Sequence, residues 1–312
     1  MVWFPRGRVR AKIGTLFAGR ILPSGAGPVE LTKILKLTQI AMCRLVGYLG
    51  PSLKVDRLVC EPPHSLVAQA YQPREMELAI LNADGFGIGW FGRDRSAAPF
   101  SYRSVMPIWT DPNLTQLARY IESECFVGYV RSATPGLAVD ISNCQPFTTN
   151  GLLLPSPLLF LHNGYIENFR QTLYRDIRMS LSGDLYRFVH GTTDSEHIFA
   201  LILHELEADP TRSIAAALER ALATLTALAR EKHVGFCANI LLSDGTQLVA
   251  SRYACGTTVP SLYWLNNAPE LPDAIAIASE PLFEGPWQRC PEHSIIQAGG
   301  PDGRAVRIHS IV

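Results

Sequence analysis

Apolar residues fall along this chain mainly in short runs separated by polar, glycine-rich and proline-rich stretches, and only in the middle do they take a helical period. Strand-like runs recur at 45–49, 86–91, 125–130, 158–161, 236–242, 247–251, 275–278 and 306–311. The step Asp244-Gly245 between two of them predicts a hairpin. Two helices are expected, one over 194–208 and one from 211 to about 232. In the second, Ile214, Leu218, Leu222, Leu225 and Leu228 form a packing stripe. Pro210 separates the two, because proline cannot continue a helix. Strands on both sides of a helical middle predict an α+β fold with two packed sheets covered by helices.

Composition narrows the class. With 28 basic and 28 acidic residues the formal net charge is zero, which argues against a nucleic-acid partner. No apolar stretch approaches the roughly 18 residues of a membrane helix. The seven cysteines form an odd set without CxxC spacing, which predicts reduced thiols and a cytoplasmic location. The eight histidines show no HExxH-type ligand spacing, so neither a metal nor a cofactor is expected. Homo-oligomerisation stays open.

Residues 1–42 differ from the rest. Arg6, Arg8, Arg10, Lys12, Arg20, Lys33 and Lys36 stand against the single acid Glu30. An over-extended start, a propeptide and an organelle targeting segment all fit this basic prefix. From residue 43 to 312 one continuous domain is expected, and its first residue is Cys43, directly behind Met42.

That placement carries chemistry. Freed of Met42, Cys43 would hold both a thiol and an α-amine, a nucleophile and its base on one residue. Three further segments accompany it. Arg131-Ser132-Ala133-Thr134 follows the run 125–130, His162-Asn163-Gly164 follows the run 158–161, and Thr193-Asp194-Ser195-Glu196 precedes a helix as a cap would. Singly, Arg131 reads as a strand-end charge, Asn163-Gly164 as a turn and Asp194 as a helix cap.

In this order behind a Met-Cys pair, the segments resemble the glutaminase domain of the class II glutamine amidotransferases, which are N-terminal nucleophile hydrolases. The resemblance implies a four-layer αββα sandwich and assigns roles. Cys43 would be the nucleophile and Asn163 with Gly164 the oxyanion hole. Arg131, helped by Thr134, would bind the α-carboxylate of a γ-glutamyl substrate and Asp194 its α-ammonium. A bidentate guanidinium suits a carboxylate, and a carboxylate suits an ammonium. The segments Glu61-Pro62-Pro63-His64-Ser65-Leu66, Asn82-Ala83-Asp84-Gly85-Phe86-Gly87-Ile88-Gly89-Trp90 and Ala278-Ser279-Glu280-Pro281-Leu282 look like the ergothioneine-biosynthesis amidohydrolase branch (EgtC). That likeness implies a γ-glutamyl-hercynylcysteine sulfoxide substrate. Its trimethylammonium would suit an aromatic wall, for which Trp287, with Trp109 behind it, is the candidate; the alternative is a loop anchor.

Other readings stay open. A glutaminase subunit feeding ammonia to a separate synthase fits the same residues, as does a non-catalytic γ-glutamyl-binding relative if Cys43 remains capped. The N-terminal cysteine acylases are a more distant alternative, which the pairing of Arg131 with Asp194 opposes.

Overall fold

The computed structural model describes residues 42–75, 81–94, 97–133, 139–149, 156–300, 303 and 305–311. Residues 1–41 and Thr134 lie outside the described residues.

Alternation along the strands decides the layers. In β1 (Arg44–Lys54), Leu45 and Leu49 join a buried cluster with Leu159, Leu161 and Leu241. Val46 and Tyr48, on the opposite face, join another with Phe86, Phe126 and Ala276. A strand apolar on both faces has to be covered on both. The first sheet runs β11 (Gln288–Arg289), β9 (Tyr263–Ala268), β10 (Leu271–Ala278), β1, β4 (Glu122–Val130), β2 (Phe86–Trp90), β3 (Phe100–Ser104). The second runs β13 (Val306–Ser310), β12 (Ser294–Gly299), β8 (Gln247–Cys255), β7 (Phe236–Ser243), β6 (Leu159–Ile166), β5 (Phe147–Thr148).

Helices close the outer faces. α1 (Asp56–Val59), α2 (Leu66–Tyr71) and α3 (Leu114–Tyr120) put Leu58, Leu66, Leu114 and Ala118 on the first sheet. α4 (Tyr174–Ser180), α5 (Gly183–Phe188), α6 (Asp194–Ala208) and α7 (Ile214–Lys232) put Ile177, Leu185, Phe199 and Leu218 on the second. The result is the αββα sandwich implied by the resemblance. Among the described residues no helix is long and apolar enough to cross a membrane.

Several boundaries differ from the sequence reading. α7 starts at Ile214 rather than at 211, because Ser213 accepts a hydrogen bond from the Ala216 N–H and caps it. β6 continues past residue 161, since β7 pairs along it as far as Ile166 opposite Phe236. Asn163-Gly164 is therefore part of a strand and not a turn. The hairpin at Asp244-Gly245 is present, with Gly245 at φ +86° and the Asp244 carboxylate accepting from the N–H groups of Thr246 and Gln247. β9 and β12 carry no long apolar run, and α1 to α5 have at most seven residues each, too few to show a period.

Candidate active site

Cys43 precedes β1 and lies in the layer between the sheets, 7 % exposed. Its sulfur accepts from Tyr129 Oη at 2.7 Å and sits 3.5 Å from the Ser132 N–H. The register explains the company. Arg44 pairs with Val130 and Leu45 with Tyr129, so Arg131 follows where Cys43 precedes. Val127 and Tyr129 belong to the inter-sheet cluster, and period-two alternation puts Arg131 on the same face. Burial pushes the Cys43 thiol above its ordinary range. Hydrogen bonds from Tyr129 and Ser132 and the charges of Arg131 and Arg44 pull it down without offsetting that.

Arg131 is held by Asp84. Its Nη1 donates to the Asp84 carbonyl at 3.3 Å, and the two backbones exchange bonds through Asp84 N–H to Arg131 O and Arg131 N–H to Gly85 O. The Asp84 carboxylate accepts from the Ala133 N–H at 2.8 Å. The guanidinium is thus fixed from its backbone outward.

On β6, Leu159 and Leu161 face the inter-sheet layer, so Asn163 faces it too. Asn163 is fully buried, and among the described residues neither its Nδ2 nor its Oδ1 has a hydrogen-bond partner. A buried amide with both ends unmet costs stability unless something fills the site. Its register partner on β7 is Asn239, whose Nδ2 donates to the carbonyls of Pro260 and Ser261. Gly164 has to be glycine, because a Cβ there would lie 2.0 Å from the Cys237 carbonyl oxygen. His162, on the other face, approaches Ser195 Oγ at 2.9 Å through Nδ1 and the Cys237 carbonyl at 3.2 Å through Nε2. A carbonyl only accepts, so Nε2 carries the proton, and burial lowers the pKa and keeps the ring neutral.

The cap of α6 is Thr193, whose hydroxyl accepts from the Glu196 N–H; Asp194 is the first helical residue instead. Its carboxylate accepts from the Ile166 N–H at 2.7 Å and the Ser195 N–H at 2.8 Å. These bonds tie the start of α6 to the end of β6, directly beyond Asn163 and Gly164.

Beneath Cys43 lies a network that residue-by-residue reading missed. Arg44, 1 % exposed, donates through Nη1 to the Cys43 carbonyl and pairs with Glu280 at 2.9 Å. Glu280 also accepts from His64 Nε2 at 2.6 Å and from the N–H groups of Arg74 and Glu75. Gln69 Nε2 donates to the carbonyls of His64 and Glu280. Burial pushes the Glu280 carboxyl up, but His64, Arg44 and the two backbone donors outweigh it and hold it at about 2. The signal was present as a charged residue inside the apolar run 43–49, which requires a buried counter-charge. Tyr129 could have been found likewise, two positions before Arg131 and therefore on its face.

The structure brings Cys43, Arg131 and Asn163 to the inter-sheet face and sets Asp194 at the end of the strand that carries Asn163. Trp287 stands elsewhere. It packs with Phe283, ring centroids 5.5 Å apart, against the outer core of the first sheet. Trp109 joins the same core, edge-on to Tyr71.

Residues 58–263 match the glutamine amidotransferases class-II sequence family. The chain belongs to this family. It is 30 % identical over 297 residues to the "Probable glutamine amidotransferase DUG3" of Saccharomyces cerevisiae, covering 82 % of this chain and 81 % of that protein. It is also 30 % identical over 256 residues to the gamma-glutamyl-hercynylcysteine sulfoxide hydrolase of Mycolicibacterium smegmatis, covering 82 % and 95 %. Among solved structures, a glutamine aminotransferase class-II domain protein from Silicibacter pomeroyi superposes with a TM-score of 0.60 at 26 % identity, over 86 % of this chain and all of that one. The glutamine phosphoribosylpyrophosphate amidotransferase of B. subtilis, at 14 % identity, shares the fold with a TM-score of 0.60, over 86 % of this chain and 49 % of that one. This family member is accordingly an enzyme, a hydrolase acting on carbon–nitrogen amide bonds.

Proposed function

We propose that this chain, once Cys43 is its first residue, hydrolyses the γ-glutamyl amide of γ-glutamyl-hercynylcysteine sulfoxide to glutamate and hercynylcysteine sulfoxide. In this reading the Cys43 thiol passes its proton to its own α-amine and the sulfur attacks the γ-carbonyl carbon. Asn163 Nδ2 and the Gly164 N–H receive the oxyanion, a kind of contact worth about 3–4 kcal/mol per donor. The intermediate collapses, the leaving amine takes the proton from the α-ammonium, and a thioester remains. Water then gives a proton to the Cys43 α-amine and attacks the thioester carbonyl; the carbon–sulfur bond breaks, glutamate is released, and the sulfur takes the proton back from the Cys43 α-ammonium. Arg131, with Thr134, grips the α-carboxylate, and Asp194 grips the α-ammonium. The substrate is a small molecule met in the cytoplasm.

The observation that carries this reading is the Asn163 amide, buried and unpartnered on the same inter-sheet face as the Cys43 sulfur. The hydrolase from Mycolicibacterium smegmatis, matched over most of both chains, supports the choice of leaving group. The comparable match to the Saccharomyces cerevisiae amidotransferase favours a second reading, in which free glutamine is cleaved to supply ammonia to a separate synthase. Protein beginning at Cys43 is to be assayed on the sulfoxide conjugate beside glutamine. Much higher kcat/KM on the conjugate is expected; a preference for glutamine would favour the second reading. N-terminal sequencing of native protein tests the removal of residues 1–42, without which the Cys43 nitrogen is an amide and no base.

A further inference from the structure

The Cys43 sulfur lies against a phenol that the glutamyl-binding groups do not include. Tyr129 Oη is 2.7 Å from it, and Tyr129 is 2 % exposed, so bulk water does not compete for the contact. Tyr129 reaches the sulfur from β4, the strand that pairs with β1 and leads into Arg131. The charged groups around the sulfur are the guanidinium groups of Arg131 and Arg44, and Cys144 is the other titratable group that acts on the phenol.

Burial opposes ionisation of both partners. It pushes the thiol up, and it holds the phenol well above its ordinary value, with the sulfur charge adding to the effect. The phenol therefore keeps its proton when the thiol loses one, and it can only be the donor to a thiolate. A hydrogen bond to a charged acceptor is roughly twice as strong as one to a neutral acceptor. The contact thus favours the ionised sulfur over the resting thiol, the differential binding that catalysis requires.

We propose that Tyr129 is a catalytic residue: its phenol O–H donates to Cys43 Sγ and stabilises the thiolate as it attacks, and again as it leaves the thioester. The thiol proton passes to the α-nitrogen throughout, and the phenol neither gains nor loses one. The inference rests on Cys43 being the nucleophile.

Alkylation of Cys43 by iodoacetamide, followed by mass spectrometry across a pH series on the full chain, reads the sulfur directly. Tyr129→Phe is expected to raise the midpoint by about one pH unit and to slow alkylation at pH 8 about tenfold, the equivalent of about 1.4 kcal/mol. A 3-fluorotyrosine at position 129, similar in shape but more acidic and so a stronger donor, should move the midpoint down. In turnover, measured on protein beginning at Cys43, Tyr129→Phe should lower kcat about tenfold with KM nearly constant. Midpoints unchanged in both variants would make Tyr129 a packing residue and overturn the proposal; if the phenylalanine variant fails to fold, the fluorinated one decides. Turnover retained by Cys43→Ala would overturn the nucleophile reading beneath it, a result separable from the midpoints.

Discussion

Cys43→Ala removes one buried atom and keeps the Cβ where the chain enters β1, so the variant should still fold. Turnover should fall about a thousandfold or more, because no other group can form the thioester. Thermal unfolding and a γ-glutamyl amide assay check the two halves of this expectation; activity within tenfold of wild type would take Cys43 out of the mechanism. Arg131→Lys keeps the charge but loses the planar fork, which can donate to the Asp84 carbonyl from one edge while offering a carboxylate a bidentate pair from another. KM should rise about tenfold to a hundredfold with kcat less affected. An unchanged kcat/KM would remove Arg131 from head-group recognition.

Elements rather than single groups set the distances in this site. Gly164→Ala would place a methyl 2.0 Å from the Cys237 carbonyl oxygen and 2.4 Å from His162 Nε2, so β6 and β7 would have to part. A loss of about 2–3 kcal/mol in denaturant unfolding is expected, together with collapse of turnover, since Asn163 rides on the same strand. Stability within about 0.5 kcal/mol of wild type would show that the pair has more slack than its packing indicates. The loop carrying Trp287 belongs to a different layer. Because its indole packs with Phe283 on the outer core, Trp287→Leu should cost about 2 kcal/mol and alter hydrolysis of the conjugate and of glutamine equally. A KM increase confined to the betaine-bearing conjugate would instead bring Trp287 into the leaving-group site.

Across the whole molecule, Glu280 joins parts far apart in the chain: the entry to β1 through Arg44, the approach to α2 through His64, and the backbone at residues 74 and 75. Its carboxyl is held at about 2, below the ordinary 4.5. A depressed carboxyl stabilises the fold above its unfolded-state value, and that contribution is lost as protons bind to the native form. Stability should therefore decline as pH falls from about 4.5 towards about 2, as followed by denaturant unfolding at successive pH values. Glu280→Gln leaves the buried Arg44 without its counter-charge and should cost about 3–5 kcal/mol at neutral pH. Its profile should also be flatter in the acid window. An equally steep acid decline in the variant would assign the pH dependence to other carboxylates.

What the sequence determined by itself was local or periodic. Runs that are apolar on both faces announced the buried strands, the leucine stripe of α7 announced its packing face, and Asp244-Gly245 announced a hairpin, since each signal is complete within a few residues. The candidate residues Cys43, Arg131, Asn163, Gly164 and Asp194 were legible because they end or interrupt those runs in a family-like order. Only the tertiary structure decided what register and burial control. It put Asn163 inside a paired strand with no partner for its amide among the described residues, and made Thr193 rather than Asp194 the helix cap. It placed the Tyr129 phenol on the sulfur, and set Glu280 against Arg44 across 236 positions of chain. A contact across such separations depends on which strands pair and in what register, and no short window of residues contains that information.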